Sequence, residues 1–238
     1  MIKKNSVNAT KLEIIKVALK MFLENGYTKT SAKSICDELN ISTGNLTFHF
    51  PTKEHLLSVL VELLCEFQWR MMEKETNEGK TSLMALCLEF TTIAAICEID
   101  NLERDFYIAA YTHPMTLDII RRNDAIKTKK VFSKYCKDWD ELNYIEAETL
   151  VSGIEYATMK TTASSAPLDI RIAGSLRAIM LIYNVPEEIY KDKIKKVLEM
   201  DYRGLAKNIL QNFKKYIECI DEEIIEKILI KKRREKYE

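Results

Sequence analysis

Ser42-Thr43-Gly44-Asn45-Leu46-Thr47-Phe48-His49-Phe50 gathers short hydrogen-bonding groups into a segment too poor in apolar residues to build a core of its own. Thr43, Asn45, Thr47 and His49 carry donors and acceptors of modest reach. Gly44 leaves one surface bare, while Leu46 and Phe50, four apart, anchor the opposite side. A helix of this kind suits contact with phosphates and base edges in a DNA groove, where short polar groups must be delivered on a rigid frame. Two short helices joined by a tight turn also occur in all-α domains that bind no nucleic acid, so the segment must be read with its surroundings.

The positioning elements follow from local punctuation. In Thr30-Ser31-Ala32-Lys33-Ser34-Ile35-Cys36-Asp37-Glu38-Leu39, the residues Ala32, Ile35 and Leu39 share one helix face, with Thr30 as the expected N-cap. Asn40 accepts a left-handed backbone, Ile41 returns to the core, and Ser42 caps the next helix within three residues, the connection length of a helix-turn-helix. Thr10-Lys11-Leu12-Glu13 reads as a capping box, and Leu12, Ile15, Leu19 and Phe22 as the buried stripe of a supporting helix that ends near Gly26. Met1-Ile2-Lys3-Lys4-Asn5 is basic with no apolar run behind it, a flexible arm rather than a secretory signal or membrane anchor. Pro51 cannot extend the second helix of the pair. Thr52 caps a further one, whose first-turn Lys53 beside unpaired amides forms a natural phosphate clamp; the plainer reading makes Lys53 a solvated first-turn residue. His49 either satisfies a backbone group or donates to a phosphate.

From about Thr10 to about Leu64 the chain resembles the N-terminal domain of the tetracycline-repressor (TetR) family of bacterial regulators. The resemblance runs through Gly26-Tyr27, Thr30-Ser31, Ile35, Ile41-Ser42, Gly44 and Leu46, then Phe48-His49-Phe50-Pro51-Thr52-Lys53-Glu54 and Leu56-Leu57. It implies a DNA-binding head whose contacts fall on Thr30, Ser31, Lys33, Ser42, Thr43, Gly44, Asn45, Thr47, Phe48, His49 and Lys53. Two departures stand out. Thr47 and Phe48 occupy the place of an aromatic pair whose hydroxyl-bearing rings contact phosphates in relatives, and Asn40 stands where Gly is frequent. The resemblance further implies a helix, here beginning at Lys53, whose movement changes the separation of two heads in a dimer.

Charge agrees with a local DNA footprint. Residues 1–60 hold eight lysines against five carboxylates, while the whole chain is neutral with 36 basic and 36 acidic residues. After the head, Leu56, Leu57, Leu60, Leu63, Leu64, Phe67 and Met71 keep a helical period with no Gly or Pro until Gly79, as a rigid connector would. The remainder is helical in pattern, with six Gly and four Pro in 238 residues and no convincing alternating strand. Expected helices cover about 80–98, 101–112, 115–137, 141–163, 168–183, 187–199 and 201–235, the last with a break near Asp221. The fold class is therefore all-α. A helix-turn-helix domain at 1–52 joins, through a connector at 53–75, a helical ligand-binding and dimerisation domain at 76–238 with a C-terminal extension.

Trp69, Met72, Phe106, Tyr107, Tyr111, His113 and Met115 bring aromatics, soft sulfur and a few polar tips, the mixture of an apolar ligand site, although such stripes also serve as plain core. Leu150, Gly153, Ile154 and Ala157, then Ile172, Ala173, Leu176, Ile179 and Met180, form stripes interrupted by small residues, suited to a four-helix dimer interface or to packing within one chain. Lys231-Lys232-Arg233-Arg234-Glu235-Lys236 reads as a solvated helix end or as a contact with nucleic acid or acidic lipid. Enzymatic chemistry is poorly supported: His49, His55 and His113 show no metal-ligand spacing, and no glycine loop cradles phosphate. The scattered cysteines at 36, 65, 87, 97, 136 and 219 suggest a reducing cytoplasm, with a redox sensor a lesser reading. No cofactor or metal is expected. The expected function is a ligand-responsive transcriptional regulator, a repressor that binds a palindromic double-stranded operator as a homodimer and answers to a small-molecule effector. The alternative is an all-α dimer that acts through a protein partner, with DNA only locating it.

Overall fold

The computed structural model describes residues 2–76, 82–99, 101–221, 223–225 and 227, and every regular element among them is a helix. Three helices make the head: α1 (Ile2–Asn25), α2 (Ala32–Leu39) and α3 (Thr43–His49). Ile15, Leu19 and Phe22 of α1, Ile35 of α2, Leu46 of α3 and Phe50 after it are buried as their spacing foretold, and Ile14 joins them, whereas Leu12 and Leu39 are half-buried and Ala32 is exposed at the first turn of α2. The start of α1 is corrected. Nothing in residues 2–9 stops a helix, and α1 begins at Ile2, leaving Thr10 and Glu13 inside it rather than capping it.

Two turns set the angles between the head helices. Gly26 closes α1 at φ +85, a left-handed conformation open to glycine, and a Cβ there would meet Asp105 Oδ2 at 3.1 Å. Asn40 closes α2 at φ 52, and Ile41 N–H returns 3.0 Å to the Cys36 carbonyl. The cap of α2 is Ser31, not Thr30: Ser31 Oγ accepts from Ser34 N–H, and Ser34 Oγ accepts from Ser31 N–H, each at 3.0 Å. Thr30 is buried instead, its hydroxyl donating to the Gly26 and Met21 carbonyls at 2.8 and 3.1 Å.

The connector α4 (Lys53–Thr76) runs 24 residues, about 36 Å at the usual helical rise. It packs on α5 (Leu83–Ile99) and α7 (Pro114–Phe132). Helix α5 is buried almost all round, as so apolar a helix must be, with Glu89 the one charge in its buried stretch, and the body assembles about it. That body comprises α6 (Asn101–Thr112), α7, α8 (Glu141–Met159), α9 (Leu168–Ile182), α10 (Glu187–Glu199) and α11 (Tyr202–Cys219). Helix α7 ends at Phe132, earlier than its apolar period suggested. Phe132 stacks on Tyr183 with ring centroids 4.0 Å apart, and Cys136 Sγ donates to the Tyr183 carbonyl, which turns the chain inward. Helix α11 stops at Cys219, and helical residues resume at Glu223. It braces the head from behind: Phe213 and Tyr216 pack on Phe67 of α4, and Lys16 of α1 donates to the Glu218 carbonyl at 2.6 Å. The basic run 231–236 lies outside the described residues.

Candidate nucleic-acid interface and interior site

Helix α3 is held from one side and open on the other. Ser42 Oγ accepts from Asn45 N–H at 3.1 Å and starts the helix, and Leu46 is its one buried residue. Ser42, Thr43, Gly44, Asn45, Thr47 and Phe48 are exposed, together with Ser31 and Lys33 at the start of α2. On α3 the exposed face is polar except for Phe48. Thr47 does not offer its proton outward, because its hydroxyl donates to the Thr43 and Gly44 carbonyls at 3.0 and 3.2 Å. His49 is half-buried, with Nδ1 enclosed and without a hydrogen-bond partner and its ring edge-on to Phe48. Burial, then the charge of Lys11, lowers its pKa, so the ring is neutral at physiological pH.

Two expected phosphate contacts are corrected by this geometry. Thr30 is enclosed in the turn between α1 and α2, so its side chain reaches no outer surface. Lys53 turns back on the head: its ammonium donates to the Tyr27 and Thr30 carbonyls, both at 3.0 Å, and lies 3.9 Å from the centre of the Tyr27 ring. Burial lowers its pKa, against the opposing charges of Glu54 and Asp105. Around it Tyr27 donates to Glu54 at 3.2 Å, and Asp105 of α6 accepts from the Thr28 amide and hydroxyl, both at 2.6 Å. Lys53 thus pins the corner from which α4 departs. Lys53→Met is expected to lower stability by about 1–3 kcal/mol in urea unfolding, since the Thr30 carbonyl loses its ammonium donor while the Tyr27 carbonyl keeps the Thr30 N–H. It should leave the salt slope of DNA binding unchanged, whereas Lys33→Ala should reduce that slope by about one for each head bound.

The body contains a polar interior beneath α4. A cleft of about 260 Å³ between α4 and α7 is lined by Glu62, Cys65, Trp69, Asn123, Asp124 and Lys127, among others. Asp124 and Lys127 also line smaller voids further in, shared with Gln68, Glu89, Tyr107, Tyr111, Glu148, Glu155 and Tyr183. Lys127 joins three helices: it donates to Glu89 of α5 at 2.6 Å, pairs with Asp124 at 2.7 Å within α7, and sits 5.1 Å from the Trp69 ring of α4. Tyr111 donates to Glu155 at 2.9 Å, Gln68 to the Tyr107 hydroxyl at 3.0 Å, and Tyr183 to Glu148. Burial, then the charge of Asp124, pushes Glu148 up to about 7 and raises Glu155 well above the ordinary carboxylate range. Glu148 therefore changes charge near neutrality, and both acids are already bonded to a neutral tyrosine hydroxyl.

Trp69, Tyr107 and Tyr111 line this region. The other expected pocket residues are placed differently. Met72 and Phe106 are buried in the core, Met115 is half-buried, and His113 caps α7, its Nδ1 accepting from Met115 N–H ahead of Pro114 at the first position. The carboxylates and Lys127 were not foreseen. One signal was available: Glu89 is the lone charge in Leu83–Ile96, and a charge inside so apolar a helix must meet a partner within the fold.

The stripes of α8 and α9 divide in two. Ile172, Leu176, Ile179 and Met180 are buried within the protomer, which corrects their reading as interface residues. Outside lie Leu142, Ile145, Leu150, Gly153 and Ala157 of α8, with Ile170, Gly174 and Leu181 of α9, and Ile154 is half-buried. A Cβ added at Gly153 or Gly174 would meet nothing within 4 Å. Among the described residues no group of three or more His, Cys, Asp or Glu could hold a metal ion, the six cysteines form no disulfide, and no helix is long and apolar enough to cross a membrane.

Comparison with known proteins agrees with the head. Residues 14–60 match the model of the bacterial regulatory proteins of the tetR family. A 44-residue stretch is 48% identical to the uncharacterized HTH-type transcriptional regulator YuxN of Bacillus subtilis, covering 18% of this chain and 15% of that protein. Over 71 residues, 29% of the chain, identity to the HTH-type transcriptional regulator QacR of Staphylococcus aureus is 36%, and 37% of that protein is covered. The matches thus span well under half the length of these relatives. Among solved structures, a gamma-butyrolactone receptor (ArpA-like protein) is 19% identical over 87% of this chain and 99% of its own, with a TM-score of 0.44. The TetR family protein CprB from S. coelicolor A3(2) is 20% identical over 82% and 98%, with a TM-score of 0.45.

Proposed function

With an N-terminal segment that belongs to the tetR family of bacterial regulatory proteins, this chain is, we propose, a DNA-binding transcriptional repressor that works as a homodimer in the cytoplasm and releases its operator when a small molecule enters the body. The observation that carries the reading is α3: a capped, rigid helix anchored by Leu46 and open along a face of short polar residues. Asn45 and Thr43 supply the hydrogen-bonding contacts with base edges. Ser31, Lys33 and Ser42 hold the phosphate backbone. The domain division is a head at 1–52, a connector at 53–75 and a body from 76, as the sequence suggested.

The exposed apolar face of α8 and α9 joins two copies, so that two heads meet a palindrome about one groove turn apart or a multiple of it. The effector enters between α4 and α7, where the cleft opens on Trp69. Its coupling to the head follows two physical links: α4 begins at the Lys53 corner, and α6, which bears Tyr107 and Tyr111, holds Thr28 through Asp105. A molecule that binds one arrangement of α4, α6 and α7 better than the other shifts the head spacing, and operator affinity changes by that difference.

The test is selection of bound duplexes from a random-core DNA library, followed by fluorescence anisotropy of a selected duplex against scrambled competitor at two salt concentrations. A palindromic consensus is expected. Affinity for it should survive competitor and fall about a thousandfold or more between about 50 and 200 mM salt. A library that emerges unenriched overturns the reading.

A further inference from the structure

We infer that Phe48 makes α3 a reader of thymine methyl groups, giving each half-site a required A·T pair that hydrogen bonding alone would not specify. The inference rests on the regulator reading above and adds to it the chemistry of the recognised base.

Among the described residues Phe48 is the most exposed large apolar side chain, at 75%, and the one so exposed in the head. Its place on α3 is opposite the anchor. Two residues along a helix turn the direction by about 200°, so Phe48 and Gly44 both face away from buried Leu46, while their four-residue spacing puts the two on one surface. Gly44 is not required by the fold. It has an ordinary helical backbone, and a Cβ there would meet only Ser42 Oγ at 3.8 Å. Since glycine weakens an exposed helix, the bare spot beside Phe48 serves whatever approaches from outside.

The neighbouring polar groups sharpen the assignment. The Thr47 hydroxyl has given its proton to the carbonyls of Thr43 and Gly44, which leaves Thr43 and Asn45 as the donors along the exposed face of α3. A phenyl ring has no hydrogen bond to offer a phosphate. In the major groove the one apolar feature of a base edge is the thymine 5-methyl, while the guanine and cytosine edges present only polar atoms. A ring set over a G·C pair would cover those atoms without replacing their water, whereas over an A·T pair it covers a methyl. The edge-to-face contact with His49, centroid to centroid 5.1 Å, holds the ring against the end of the helix, and the lowered pKa of His49 keeps that neighbour uncharged.

The experiment replaces each thymine of a library-selected duplex in turn by deoxyuridine, which removes the methyl and nothing else, and measures anisotropy with the full-length protein and with Phe48→Ala and Phe48→Tyr. One thymine per half-site is expected to lose about fourfold in affinity when demethylated, the worth of one buried methylene-sized group. The same swap should have no effect on Phe48→Ala and the same fourfold effect on Phe48→Tyr, which keeps the ring. Because Phe48 packs on little, all three proteins should melt alike. Equal affinity of the unmutated protein for every deoxyuridine duplex overturns the inference, as does a methyl dependence that persists in Phe48→Ala; both leave the regulator reading intact. Failure of that reading has its own signature, a library from which nothing is enriched.

Discussion

A Leu150→Glu, Gly153→Glu variant is expected to elute as a 27.7 kDa monomer in size-exclusion chromatography with light scattering, and to lose at least about a hundredfold in affinity for the selected duplex. Leu142, Ile145, Leu150, Ile170 and Leu181 stand 51 to 70% exposed on two adjacent helices, more apolar surface than one face of a monomer usually leaves in water. Gly153 and Gly174 lie among them with open space above, so two copies can bring backbones close there. A twofold interface places every substitution twice, and four carboxylates then face burial without partners. Because the positions are exposed in the protomer, circular dichroism should show unchanged helicity. The loss on DNA is a loss of linkage between heads: each head of a monomer binds alone, without the effective concentration its mate supplies. A variant that stays dimeric would move the interface elsewhere, and a monomer that binds DNA as tightly as the parent would show that one head suffices.

The legibility of this chain tracks the range of the interactions involved. The head was readable almost residue by residue, because a cap such as Ser42, a left-handed Asn40 and an anchor pair such as Leu46 and Phe50 act within a few positions of one another. Thr30 was misread by one position, since Thr and Ser are both good caps and only tertiary packing decides which of them is buried. Lys53 was misread because its partners, the Tyr27 and Thr30 carbonyls, lie 26 and 23 residues back in the sequence. The body shows the same division at larger scale. Helical periods marked where α5 to α10 run, yet Ile172, Leu176, Ile179 and Met180 belong to the inner face of α9 and Ile170 and Leu181 to the outer, and only the packing of α9 on α5, α8 and α10 separates them. The interior acids were hardest to see. Glu89, Asp124, Glu148 and Glu155 come from three helices, and nothing local announces that their side chains share one space.

Lys127→Met is expected to destabilise the protein by about 3–5 kcal/mol at neutral pH in urea unfolding, with a deficit that shrinks on acidification. The ammonium is almost enclosed, with 14% of its side chain exposed against 9% for Glu89, so it is the internal counter-charge for Glu89 and Asp124 rather than a surface ion pair. Burial alone would lower its pKa, but the charges and hydrogen bonds of Asp124 and Glu89 together outweigh burial and hold it well above the usual value. Glu89 is raised, by burial first, with Lys127 opposing the rise. Methionine keeps the aliphatic stem beside Trp69 and removes that opposition, which sends the carboxylate higher. A carboxyl group raised in the folded state contributes stability that is present below its unfolded pKa and is lost as pH climbs through the folded value. The deficit of the variant should therefore be small near pH 4 and grow steadily toward pH 8. Lys127→Met combined with Glu89→Gln should recover much of the loss, since a neutral amide needs no counter-charge. A deficit that ignores pH would assign the damage to packing against Trp69 instead. The same triad joins α5 to α7 at a cleft that Trp69 of α4 also lines, so the pairing that stabilises the body is made where α4 and α7 face each other.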